Sequence, residues 1–241
     1  DDMLDLLVAK ESEAIEVYLR QRGAGFEVST NGPPLPMAEK FITGDLDNDL
    51  IPDLVACHKN VITVTSQSST NWVQLEKPEG SITEVLLTDI DNDGWKDVVG
   101  YGQTIEIWRN VGPLSFTNVT KNYLGETKPH APIRELFFAD MDNDGDSDMI
   151  IDSPNHNIQI LSNEGGDQNK LFKLRLDGTR SNRSGLGIQI ELTSGNWRTI
   201  HTVHSLPIEI GIGERESIDI LKVRWSDAAD GEVGVTVNPN Q

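Results

Sequence analysis

The chain has 241 residues, 37% hydrophobic and 24% charged, an ordinary globular balance able to bury a core. Its formal charge of -19, from 20 basic and 39 acidic side chains, argues against nucleic acid and anionic membrane surfaces as partners, because both would be repelled. No run of about 18 apolar residues occurs, so no membrane-spanning helix is expected, and the single cysteine, Cys57, excludes an internal disulfide or a Cys-rich zinc site.

The N-terminal stretch DDMLDLLVAK lacks the basic-then-apolar order of a signal peptide. It matches the second half of a pattern that recurs downstream, with Asp5 as its last carboxylate. The chain is therefore expected to begin inside a repeat, in a half-loop that keeps only Asp1 and Asp5. Residues 9–14 are the one stretch with a helical look. From Glu16, EVYLRQRGAGFEV reads as a strand, a polar turn with glycine, and a second strand beginning at phenylalanine.

Three segments then align without gaps: FITGDLDNDLIPDLVAC from Phe41, VLLTDIDNDGWKDVVGY from Val85, and LFFADMDNDGDSDMIID from Leu136. Each runs from an apolar strand into Asp-x-Asp-Asn-Asp, then to a closing Asp and another apolar strand. Cys57 follows Leu54, Val55 and Ala56 and reads as a small buried hydrophobe. After the second segment, IEIWRNVGPLSFTNV repeats the strand, turn and phenylalanine strand, and after the third Ile158 to Asn163 repeats its start. The closing aspartates, at 5, 53, 97 and 148, lie 48, 44 and 51 residues apart. That period suits four short strands per unit, the length of a β-propeller blade.

Carboxylates packed this closely repel unless a cation sits among them. Loop positions 1, 3, 5 and 9 are Asp45, Asp47, Asp49 and Asp53; Asp89, Asp91, Asp93 and Asp97; and Asp140, Asp142, Asp144 and Asp148. Oxygen ligands at 1, 3 and 5, a backbone carbonyl at 7 and a later carboxylate describe a calcium loop, with glycine at 6 for the sharp turn. The carbonyls at position 7 would come from Ile51, Trp95 and Asp146. Gly94 and Gly145 stand at position 6, whereas Leu50 replaces glycine in the first loop, which is expected to be the weakest site. The flanks are strands, so this is no EF-hand. The 12 ligand aspartates account for most of the acidic excess, leaving 27 acidic against 20 basic side chains.

These segments resemble FG-GAP or VCBS repeats, the calcium-loop blades of integrin-like propellers and many secreted bacterial proteins; the likeness covers residues 1–165. Residues 166–241 resemble the ASPIC/UnbV domain that commonly follows such repeats. The residues carrying that likeness are Leu176 with Gly178, Asn182-Arg183, Gly185-Leu-Gly187-Ile188, Pro207 before Ile210-Gly211-Ile-Gly213, Val223-Arg-Trp225-Ser-Asp227, and Asn240-Gln241. Ser226 stands where that family has proline, and its following glycine is displaced to Gly231. No EGF-like cysteine module follows, which points to a bacterial relative. In the same segment Phe172, Leu174 and Leu176 alternate, as do Ile188, Ile190 and Leu192, and Ile218 and Ile220 begin another strand. Five or six strands in a compact sandwich or barrel on the propeller edge are expected.

The expectation is thus an all-β chain: a partial propeller over 1–165 followed by a small sandwich or barrel over 166–241. His201 and His204, three apart in a strand, face opposite ways and make a poor zinc pair. His58, His130 and His156 fall in turns. Ser184 lacks a nucleophile elbow, and no phosphate-cradling glycine loop occurs. The glycosylation patterns at Asn118 and Asn182 read as chance in a bacterial protein. A non-enzymatic, Ca2+-binding extracytoplasmic scaffold or protein-protein interaction protein is the expected function. The alternatives are a lectin-like glycan-binding module and, behind it, an enzyme or its accessory subunit. Little more than three blades cannot close a propeller of about 4 to 8, so another protein chain or missing N-terminal blades are expected to complete it.

Overall fold

The computed structural model describes residues 5–10, 13–23, 25–30, 34–66, 72–76, 78–127, 129–154, 157–163, 165, 169–177, 184–204 and 206–224, and the backbone of 232–237. Asp1, Asp2, His156, Gly178, Asn182, Arg183, Trp225, Ser226, Asp227, Gly231, Asn240 and Gln241, on which parts of the half-loop and C-terminal readings rest, lie outside the described residues.

Four antiparallel sheets follow one another along the chain. The first holds β1 (Leu6–Val8), β2 (Glu16–Gln21) and β3 (Gly25–Val28); the second holds β4 (Lys40–Gly44), β5 (Asp53–His58), β6 (Val61–Thr65) and β7 (Trp72–Gln74). The third holds β8 (Ile82–Thr88), β9 (Asp97–Gly102), β10 (Ile105–Asn110) and β11 (Phe116–Asn118), and the fourth β12 (Glu135–Ala139), β13 (Asp148–Ser153) and β14 (Asn157–Leu161). Within each sheet the order follows the sequence, a meander. The sheets do not close into a ring.

Stacking explains the strand sequences. β5 and β9 are buried on both faces, so both read as nearly continuous apolar runs instead of alternating ones. Leu46, Val55, Cys57 and Val64 of the second unit pack with Ile82, Val98 and Trp108 of the third. Val99, Ile105 and Ile107 on the other side of the third sheet pack with Leu136, Met149 and Ile151 of the fourth. Cys57 is a core residue, and burial pushes its thiol up to about 11. The alternation that the sequence shows therefore sorts side chains between two neighbouring sheets, not between core and water.

One helix, α1 (Thr120–Leu124), lies between the third and fourth sheets, where none was expected. Of residues 9–14, the described ones, 9, 10, 13 and 14, are not helical: Ala14 instead bridges Met37, and Ile15 is buried beside Ala38, Leu54 and Ala56. The local propensity loses there to a long-range apolar contact.

The C-terminal segment builds two further sheets, β15 (Lys170–Leu174) with β18 (Ile208–Gly213), and β16 (Gln189–Ser194) between β17 (Trp197–Thr202) and β19 (Ile218–Arg224), with β20 (Glu232–Val237) outside β19. Both sheets contribute to one core, in which Ile190, Leu192, Ile210, Ile212, Ile218 and Leu221 are buried. This unit meets the acidic loops of the third and fourth sheets: its β18 backbone reaches the second loop directly, and Lys173 of β15 pairs with Asp140 of the third.

Candidate metal centres

Each acidic loop joins the first strand of a sheet to the second, and three share one internal pattern. The closing aspartate accepts the N–H of loop position 2 at 2.8, 2.9 and 2.9 Å: Leu46 to Asp53, Ile90 to Asp97, and Met141 to Asp148. The first aspartate accepts the N–H of position 6, from Leu50 to Asp45, Gly94 to Asp89, and Gly145 to Asp140. The N–H groups of Ile51, Trp95 and Asp146 return to the carboxylates of Asp49, Asp93 and Asp144. At least four backbone amides per loop thus turn inward, winding the carboxylates around a common centre.

The winding needs left-handed residues at two places. Position 4 is Asn48, Asn92 and Asn143, with φ of 57°, 56° and 65°, a region asparagine tolerates. Position 6 is Gly94 and Gly145 at 92° and 102°, and Leu50 at 71°. The first loop therefore keeps its shape with a side chain in a conformation that costs an L-residue about 1–2 kcal/mol.

Carboxylate oxygens of Asp45, Asp47 and Asp53, of Asp89, Asp91 and Asp97, and of Asp140, Asp142 and Asp144 lie within 4.8 Å of one another in each set. Positions 1 and 3 thus converge in all three loops, as the spacing predicts. Asp49 and Asp93 at position 5 stand outside the first two sets, and Asp148 at position 9 outside the third. In two loops the closing aspartate is a brace as well: Asp97 also accepts the N–H of Asn110, and Asp148 that of Asn163.

The electrostatics describe sites short of positive charge. Burial pushes Asp53 up to about 7 against the N–H of Leu46. Asp89 and Asp97 stand well above the usual carboxylate range, through burial first and neighbouring aspartates second. Burial likewise raises Asp45, and burial with the charge of Asp93 raises Asp91. Side-chain cations pair with carboxylates of two loops, and Lys96 reaches the first, donating to Asp45 O at 3.5 Å. Arg109 donates to Asp93 at 2.9 Å and makes an ion contact with Asp91, while Lys173 pairs with Asp140 and Glu209. Burial alone would raise Asp140, but the Lys173 hydrogen bond and charge outweigh it and hold that carboxyl below its ordinary value.

Among the described residues, a buried oxygen on Asp53, on Asp91 and on Asp140 meets no hydrogen-bond partner. An unsatisfied buried carboxylate oxygen costs free energy unless a ligand meets it. Hard, all-oxygen donors in sets of three, one orphaned oxygen per set, fit Ca2+ better than a softer metal. Arg109 and Lys173 qualify the fit, since an ion in the second or third loop would share its carboxylates with them.

Sequence reasoning missed the residues that tie one loop to the next. Asn48 Nδ2 donates to Gly94 O at 3.3 Å, and Asn92 Nδ2 to Gly145 O at 2.8 Å. In the return direction Asn110 Nδ2 donates to Leu46 O at 2.8 Å and Asn163 Nδ2 to Ile90 O at 3.1 Å. Asparagine at position 4 of all three loops, and at the end of both IEIWRN and IQILSN, was the available cue.

The second loop is also a docking platform. Gly213 N–H donates to Asn92 O at 2.8 Å, and Asn169 Nδ2 to Asp91 O at 2.7 Å. Gly211 lies so close that a Cβ there would meet Asp89 Oδ2 at 2.1 Å. Arg215 stacks on Trp197, 4.2 Å above the ring, and both flank Gly94. Lys96 donates from between the loops to Ile200 O at 2.9 Å, and burial lowers its ammonium to about 8. His201, beside it, is held well below its ordinary value by burial and by that ammonium. His58 ends β5 near Glu39, and His204 is exposed; no described histidine joins an acidic set.

Fold and site together define an all-β, repeat-like fold that presents an acidic loop from each of its second, third and fourth sheets. Residues 63–151, which include the second and third loops, match the family model of an FG-GAP-like repeat. No curated protein matches the chain. Among the described residues no helix is long and apolar enough to cross a membrane.

Proposed function

We propose that this chain is a non-enzymatic, Ca2+-stabilised scaffold or protein-protein interaction protein that works outside the cytoplasm. The four stacked sheets are read as blades of an incomplete β-propeller, and the C-terminal unit as an ASPIC/UnbV domain. One observation carries the metal reading: three equivalent loops, each gathering three carboxylates within 4.8 Å and each holding a buried oxygen with no partner among the described residues. Asp45, Asp47 and Asp53, then Asp89, Asp91 and Asp97, then Asp140, Asp142 and Asp144 would hold the ions. A bound Ca2+ supplies positive charge that relieves carboxylate repulsion; everything else is done by the chain, whose inward amides and left-handed turns preorganise the oxygens.

Binding to the folded loops alone stabilises by mass action, roughly 1.4 kcal/mol per site with the ion tenfold above Kd. Loops of this kind in extracellular modules bind with Kd of about 10⁻⁴ to 10⁻³ M, so millimolar calcium outside the cytoplasm suits them. Calorimetric titration tests the reading. Three ions per chain are expected, with Asp45→Asn, Asp89→Asn and Asp140→Asn each removing one; heat-silent titration of the wild-type chain would refute it.

A glycan-binding reading has one foothold, a shallow cleft between β7 and β11 where Trp108 and Phe116 meet a polar rim of Gln74, Glu76 and Asn118. Binding on a glycan array that disappears in Glu76→Ala, an exposed residue of the rim, with the fold unchanged would favour it.

A further inference from the structure

The C-terminal unit grips two acidic loops by different means. At the second loop it meets main-chain oxygens: Gly213 N–H donates to Asn92 O and Asn169 Nδ2 to Asp91 O. Neither bond occupies a carboxylate of the Asp89, Asp91 and Asp97 set. At the third loop the unit takes a carboxylate itself. Lys173 of β15 donates to Asp140 Oδ2, and Asp140 is the first member of the third set.

The side chain of Asp140 has no exposed surface, and its Oδ1 meets no partner among the described residues. An ammonium therefore stands on one oxygen of a carboxylate whose other oxygen is unmet. A dication bound through Asp140 would repel that ammonium across a single carboxylate.

Lys173 has an alternative partner within its own unit. Its register partner across the β15–β18 ladder is Glu209, whose Oε1 lies 3.3 Å from the same Nζ. The flexible four-carbon stem lets the ammonium turn from Asp140 to Glu209 and solvent while β15 stays as it is. Arg109 differs in this respect. It reaches the second loop from β10 of the same sheet, so its contacts with Asp91 and Asp93 hold no second unit in place.

We propose, on the reading of the loops as calcium sites, that Lys173 is a calcium-operated latch between the third loop and the C-terminal unit. Without the ion it fastens the unit to Asp140. An ion entering the third loop takes Asp140, Lys173 retracts to Glu209, and the unit stays held at the second loop and by the bond from Lys96 to Ile200 O. Linkage makes the effect reciprocal: the Lys173–Asp140 bond lowers the affinity of the third loop by the factor by which the ion weakens the bond. The second loop, gripped at main-chain oxygens, keeps ion and partner together.

Calorimetric titration of Lys173→Met, which keeps most of the stem and removes the competing charge, is the test. The third site, assigned as the one that Asp140→Asn abolishes, should bind calcium about two- to fivefold tighter, with the first and second sites unaltered. An equal or weaker third site would overturn the proposal. Movement of the unit is read with nitroxide labels on Ile158→Cys and Arg175→Cys, both at exposed positions, Cys57 being buried. With Lys173 present, calcium should lengthen or broaden the distance distribution; in Lys173→Met it should already be broad in chelator. A distribution that calcium narrows, or leaves alone while the third loop fills, would overturn the latch. A wild-type chain that binds no ion removes the metal reading and the latch with it; three filled loops indifferent to Lys173→Met remove the latch alone.

Discussion

At the scale of single residues, the acidic loops are governed by backbone conformation as much as by charge. Leu50 holds φ at 71° where the other loops have glycine, so Leu50→Gly should relieve about 1 kcal/mol of strain. A roughly fivefold tighter first site in a calcium titration is the expected result; an unchanged affinity would show that the leucine strain is repaid within the loop. Asn92 combines a left-handed φ with a buried bond to Gly145 O. Asn92→Ala should therefore cost about 1–2 kcal/mol in urea unfolding, while a loss of a few tenths would make the link incidental. The aspartates, by contrast, were legible at once, because position within the repeat declared them. The asparagines were equally regular but passed as turn residues, since their partners lie 46 and 53 residues away in the next loop.

At the scale of elements, strand pattern was readable and strand neighbourhood was not. Alternation in IEIWRN located β10, yet both of its faces are buried, and only the stacking of sheets decides that Ile105 and Ile107 meet the fourth sheet while Trp108 meets the second. The docking of β18 on the second loop was invisible for the same reason: Gly211 reads as a strand glycine until Asp89 and Asn92 are found where its Cβ would be. Gly211→Ala should push the C-terminal unit off the second loop. A fall in melting temperature is expected, with a weaker second site and an unaltered first one, and Trp197 fluorescence following calcium less closely. Equal weakening of both sites would mean general unfolding rather than loss of this contact. Arg109 and Lys173 were likewise hidden, because a cation that pairs with a loop carboxylate from another element carries no mark in the sequence.

At the scale of the whole molecule, the carboxylates make stability depend on pH in opposite senses with and without the ion. Asp53 moves from 3.8 to about 7 on folding, and Asp89 and Asp97 move the same way. A raised carboxyl favours the folded state while protonated, so that contribution is complete below 3.8 and fades as pH rises through about 7. Asp140, lowered by Lys173, and His201, held low by burial, work in the other direction but are outnumbered by the raised aspartates. The ion-free protein should melt higher at pH 5 than at pH 8. Protons compete with the ion for the same oxygens, so the gain from calcium should be larger at pH 8. A gain independent of pH would place the ion elsewhere.

Thermal melting at pH 7.5 in millimolar calcium and again in excess chelator tests the central claim most directly. Folding that depends on filled loops should raise the melting temperature by about 3–6 °C per occupied site, and by correspondingly less in Asp89→Asn and Asp140→Asn. Identical melting curves with ion and with chelator would contradict it.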